Sequence, residues 1–295
     1  MKKRTVVILV VIASCIVFFG FAALMLIVGL AGEFDTEFTG FGDKIAIVEI
    51  YGEISDSRDV IRQLKHWTED GSVKAILIDI DSPGGAVAPS QEIYEQILKT
   101  REEGKTVVSS MRNVAASGGY YIASATEKIV ANPGTLTGSI GVILSFPTAK
   151  KLMEKIGLQM ETIKSGELKD VGAMSRPMTP QEERMLQAVI DDSYEQFVEA
   201  VANGRKKSKE EIYPFADGSI FTGRQAYNIG LVDTLGSFET AVSITGEMVN
   251  LGPDPDLVIE RKRQPGFFEI LSQSLTTING ILNTESRQPG LQYKY

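Results

Sequence analysis

Apolar, β-rich runs at 44–51, 74–80 and 106–111 alternate with segments of helical spacing at 59–67 and 90–98, and this alternation most constrains the fold. Continuous apolar strands separated by helices predict an α/β domain whose largely parallel sheet is covered on both faces. The same reading gives strands at 128–131 and 142–145 and short helices at 120–124 and 148–156. Thr179, with Glu182 three residues later, predicts a capped helix running to about residue 202. Leu186, Val189, Ile190, Tyr194, Phe197 and Val201 form its apolar stripe. Further helices are expected at 223–228 and 237–249, and the compact domain at 44–259.

Ahead of the domain, residues 5–32 run without a charge, longer than the roughly 20 residues a spanning helix needs. Lys2, Lys3 and Arg4 precede this run and Glu33, Asp35 and Glu37 follow it. The expected order is a cytoplasmic stretch at 1–4, a transmembrane anchor at 5–32, a linker at 33–43 and an extracytoplasmic domain. A cleaved secretory signal fits less well, because its apolar region spans only about 7–15 residues. Lipidation at Cys15 also fits less well, because another apolar stretch follows that cysteine. In the tail at 260–295, Phe268, Leu271, Leu275, Ile278 and Leu282 share one helical face.

Several chemistries lose their support. A net charge of −8 without a large basic cluster argues against nucleic-acid binding. The one cysteine allows neither an intrachain disulfide nor a cysteine zinc site. The one histidine, His66, reads as a solvated residue near a helix end, which makes a Ser-His-Asp triad or a histidine-rich metal site improbable. HExxH, strand-following GxGxxG and GxxxxGK[ST] motifs are absent, so no metal and no cofactor are expected.

Three glycine-rich segments remain, DSPGG at 81–85, AASGG at 115–119 and TLTGSIG at 135–141. Each alone reads as a tight turn, yet loops at the carboxyl ends of strands also build ligand sites. Ser117 lies between small residues at the start of an apolar helix, where its hydroxyl is unobstructed. It reads as a helix N-cap or as a nucleophile, with the Gly118 N–H and that of Gly84 or Gly85 available to an oxyanion. Such a nucleophile needs a base, and without histidine the remaining route is a lysine of lowered pKa. Lys164 and Lys169 are equal candidates by local sequence, and the acidic neighbours Glu167 and Asp170 weigh against the latter.

The ordered motifs DSPGG with SQEIYEQI, VAASGGYYIA at 114–123, ANPGTLTGSIGVI at 131–143, SGELKDVG at 165–172, RPMTPQEER from 176 and FTGRQAYNIGLVDTLG from 221 together resemble the signal peptide peptidase A family. The match spans about 45–249. The resemblance implies a ClpP/crotonase-like fold of repeated ββα units and a short-form chain holding one copy of the unit. It implies Ser117 as nucleophile, Lys169 as base, Gly84 and Gly118 as oxyanion donors and Ser139 as hydrogen-bond partner of the lysine amine. Cleaved signal peptides and misfolded membrane or secreted proteins are the implied substrates. Assembly is implied as a membrane-mounted homo-oligomer, an octamer among the counts it allows, in which neighbours complete each active site. Two rival readings are a non-catalytic peptide-binding ring of the same fold and a crotonase-like acyl-CoA enzyme.

Overall fold

The protein is described here by a computed structural model covering residues 42–260. The expected anchor at 5–32, Cys15 and the apolar tail beyond 260 lie outside these residues. The chain divides into two units, Met1–Gly42 and Asp43–Tyr295. Among the described residues no helix is long and apolar enough to cross a membrane.

The second unit begins as predicted, with β1 (Lys44–Tyr51), α1 (Arg58–Glu69), β2 (Val73–Ser82), α2 (Val87–Glu102) and β3 (Thr106–Ala116). The chain continues through α3 (Gly118–Ser124), β4 (Lys128–Ala131), β5 (Leu136–Gly138), α4 (Lys150–Lys155) and a 3-10 turn at Glu167–Asp170. It then forms α5 (Pro180–Arg205), α6 (Lys209–Ile212), β6 (Ile220–Thr222), α7 (Gly223–Asn228), β7 (Thr234–Leu235), α8 (Phe238–Met248) and β8 (Asp256–Ile259). The sheet runs β6-β5-β3-β2-β1-β8, and every pairing is parallel except β5 with β6. Strand β3 forks, since Val108–Met111 pairs β4 while Val114–Ala116 pairs β5. Its β2 register shifts between Ile80 and Ser82, which turns the strand end towards β5.

Because strand side chains alternate, each central strand feeds two cores. Val48, Ile76, Ile78 and Ile80 pack with residues of α1, α2, α3 and α5, whereas Ile45, Leu77 and Val108 pack with Ala241 and Val242 of α8. Burial on both faces explains why these strands read as unbroken apolar runs. One buried acidic residue of the sheet is Asp79 on β2, which accepts from Arg112 Nε and Nη2, both at 2.7 Å, and from the Tyr51 hydroxyl at 2.5 Å. Arg112 also stacks over Phe238 at 4.3 Å, so the pair binds three strands to α8.

Three expectations change. Strand β3 runs five residues past 111, residues 142–145 join no ladder, and the apolar stripe of α5 is buried only in its second half. Val201 is inaccessible while Val189 is 53 % exposed. The Thr179 capping box forms as the sequence predicts, with the Glu182 N–H donating to Thr179 Oγ1 and the Thr179 N–H to Glu182 Oε2.

Candidate active site

Ser117 lies at the turn from β3 into α3 with φ 52° and ψ −120°, a strained conformation for a residue with a Cβ. Two backbone bonds hold it there. Its N–H donates to Gly138 O of β5 at 2.9 Å, and its carbonyl accepts from Tyr121 N–H at 2.8 Å. The small residues flanking it are packing requirements, because Gly84, at φ +100°, lies so close that an added Cβ would meet Gly118 N at 2.7 Å and Ser117 Cβ at 2.8 Å. The DSPGG loop and the serine turn therefore touch through backbone.

This contact also sorts the N–H donors. Gly84 N–H is engaged by Ser82 Oγ at 3.1 Å, and Ser82, wholly buried, donates in turn to Gly52 O at 2.6 Å. Ile54 N–H donates to Gly84 O and Ala86 N–H to Ile54 O, which turns the intervening Gly85 N–H the other way. Gly85 N–H and Gly118 N–H make no hydrogen bond among the described residues, and both glycines line the pocket beside Ser117. Gly84, the donor that the resemblance implies, thus has its N–H engaged by Ser82, and Gly85 is the glycine of this loop whose N–H is free. Local sequence left these two glycines open and the resemblance implied Gly84; the Ser82 and Ile54 contacts distinguish their N–H groups.

The pocket is a cavity of about 110 Å³ lined by Val87, Ser90, Tyr121, Val142, Ile143 and Phe197 among others. None of its lining residues carries a charge. Burial pushes the Tyr121 phenol up to about 12, so it stays protonated. His66 is exposed on α1, stacks beside Trp67 and does not line this pocket.

Ser139 lies next to the nucleophile turn, since it follows the Gly138 whose carbonyl holds Ser117. It too has positive φ, 50°, and its N–H donates to Ser219 O at 2.8 Å. Its hydroxyl makes no hydrogen bond among the described residues. Lys169 is exposed in the 3-10 turn, its side chain makes no hydrogen bond or ion pair among those residues, and it does not line the Ser117 pocket. Lys164 is instead committed, donating to Glu167 O at 2.8 Å and Asp170 Oδ1 at 2.5 Å. The two lysines that local sequence could not rank thus differ, one ion-paired and the other free of partners.

A serine on a strained strand-to-helix turn, backed by a glycine loop with a free N–H group, has the geometry that acyl transfer on a ClpP-like fold requires. The Clp protease family model matches residues 41–135, the stretch holding the DSPGG loop and Ser117. This chain belongs to peptidase family S49, whose model matches residues 99–252. It is 47 % identical over 212 residues to a candidate protease of Synechocystis, covering 72 % of this chain and 76 % of that one. It is 35 % identical over 221 residues to protease 4 of Haemophilus influenzae and 34 % identical over 262 residues to the chloroplastic serine protease SPPA of Arabidopsis thaliana. Those alignments cover 72 % and 83 % of this chain but only 36 % and 39 % of the two relatives. The family and these relatives make the chain a serine peptidase.

Proposed function

We propose that the chain is a membrane-anchored serine endopeptidase in which Ser117 attacks the peptide carbonyl and Lys169 of a neighbouring copy takes its proton. The observation that carries this reading is the uncharged pocket holding a strained Ser117 and two free backbone N–H groups, with no base of its own. A lysine entering it from another copy loses hydration without gaining a carboxylate, and both favour the neutral amine that a base requires. Ser139, beside the turn and with an uncommitted hydroxyl, is the group available to orient that amine.

Proton transfer from Ser117 Oγ to Lys169 Nζ accompanies attack on the carbonyl carbon, and the oxyanion is received by the N–H groups of Gly85 and Gly118. Collapse breaks the C–N bond and returns the proton from Lys169 to the leaving amine. Water, deprotonated by the same lysine, then hydrolyses the acyl-enzyme. The apolar lining selects small or apolar side chains, which fits remnants of signal peptides and misfolded membrane or secreted proteins as substrates. The uncharged run at 5–32 supports a single-pass anchor with the peptidase outside the membrane. Exposed Ile143, Leu152, Ile156 and Ile163, on the segment that carries Lys169, support a homo-oligomer. The test is hydrolysis of a quenched apolar peptide by the full-length protein. Ser117→Ala and Lys169→Ala must each abolish turnover, and full activity in either variant overturns the reading.

A further inference from the structure

The turn carrying Lys169 is fixed by ions, since none of its residues is buried. Arg176 donates from Nε to Asp170 Oδ2 at 2.9 Å and from Nη2 to Asp170 Oδ1 at 2.6 Å. Its Nη1 donates to Glu182 Oε2 at 2.9 Å, and its Nη2 also donates to Glu182 Oε1. Glu182 is a buried carboxylate at the first turn of α5, where its Oε2 also accepts from the Thr179 N–H at 2.8 Å. Lys164 Nζ donates at 2.5 Å to the same Asp170 Oδ1 that Arg176 Nη2 reaches. Asp170, the immediate chain neighbour of Lys169, therefore spends its carboxylate on Arg176 and Lys164. Hydrogen bonding from Arg176 is the main reason that both carboxyls lie below their ordinary range, Glu182 at about 2.

A basic lysine must be neutral to work, and a free carboxylate within about 4–6 Å favours its charged form. The charged groups facing the cleft between this turn and the start of α5 are Lys164, Glu167, Arg176, Glu182 and Arg184. The Ser117 pocket, where the amine is proposed to act, contributes none. We propose that Arg176 is a positioning residue for Lys169, tying the 167–170 turn to the start of α5 and keeping the Asp170 carboxylate away from the lysine amine. This rests on the reading of Lys169 as base. Lysine at 176 keeps the charge but loses the planar fork that bridges two carboxylates.

The test is the pH profile of kcat/KM for the full-length protein with a quenched apolar peptide. Arg176→Gln combined with Lys164→Gln, which together strip the Asp170 carboxylate of both partners, is expected to lower kcat/KM about tenfold and to move the acid limb up by about one pH unit, because a free carboxylate beside the amine favours its charged form. Adding Asp170→Asn to that variant returns the limb to the wild-type pH while kcat/KM stays reduced, and Arg176→Lys falls between. Glu167 is present throughout and contributes a constant. A parallel loss at every pH, or a limb shift that Asp170→Asn leaves in place, overturns the proposal. If the double variant does not fold, Asp170→Asn alone decides, because the limb must stay at or below its wild-type pH. Failure of the base assignment is distinct, because Lys169→Ala then retains activity.

Discussion

The central sheet and the segment at 139–179 treat their apolar side chains in opposite ways. In the sheet, Ile45, Ile76, Leu77, Ile78 and Ile80 are inaccessible, and helices cover both faces. In the segment, Ile143 is 88 % exposed, Leu152 61 % and Ile163 fully exposed, and none of the three belongs to a strand. The same division separates the proposed catalytic groups. Ser117 and both free N–H groups belong to the sheet and its loops, whereas Lys169 belongs to the exposed segment. One part completes itself within a single chain, and the other has the composition of a core without its covering. On the proposed assignment, that difference leaves the nucleophile half of the site built within one chain and the base half outside it.

The largest effects that sharpen this comparison are chemical. Ser117→Ala and Lys169→Ala should each lower kcat by about 10⁴- to 10⁶-fold, although one residue lies in the sheet and the other in the segment. Circular dichroism should show both variants folded, and substantial residual turnover in either breaks the account.

Stability should separate the two regions next. Leu77→Ala removes a fully buried side chain between β2 and α8 and should cost about 2–5 kcal/mol in denaturant unfolding. Ile163→Ala, in a fully exposed position, should stay within about 0.5 kcal/mol. Equal costs would show that the segment is covered within one chain.

Ser82→Ala should produce a smaller, mixed effect. It strips the partner from Gly84 N–H and from Gly52 O and should cost about 1–3 kcal/mol, with kcat falling more than KM rises. An unchanged kcat would dissociate the Gly84 turn from the orientation of Gly85.

The smallest expected effect is acidic. The Arg176 guanidinium holds the Glu182 carboxyl at about 2, against 4.5 ordinarily. A depressed carboxyl contributes stability that is complete above its unfolded value and is lost as pH falls through the folded one. Proteolytic cutting near residues 167–182 should therefore increase between pH 4.5 and 2, and Glu182→Gln should flatten that dependence.

Much of the sheet was legible because its strands are buried on both faces, which leaves unbroken apolar runs in the sequence. The extension of β3 was hidden, because Arg112 and Asn113 interrupt the pattern where they answer Asp79 and Asp81 on β2. Strand β8 was hidden by the Pro255 before it, and it gains its order from pairing with β1. Residues 142–145 have strand composition and no ladder partner; Ile143 and Leu144 are exposed, and Val142 and Ile143 line the Ser117 pocket. The serine and the glycine loops were visible as motifs, while the choice of Gly85 depends on the Ile54 bridge. Ranking Lys169 over Lys164 by physical contact needs the Asp170 ion pair, which no local pattern reveals.

The most direct measurement is complementation between two inactive proteins. Full-length Ser117→Ala and Lys169→Ala chains, co-expressed and purified together, should recover up to about a quarter of wild-type kcat, as random pairing of neighbours in a closed ring predicts. Each restored site would join an intact Ser117 to an intact Lys169 from another copy. Mixtures that stay as inactive as either parent, with wild-type chains active under the same conditions, would contradict a site shared between chains.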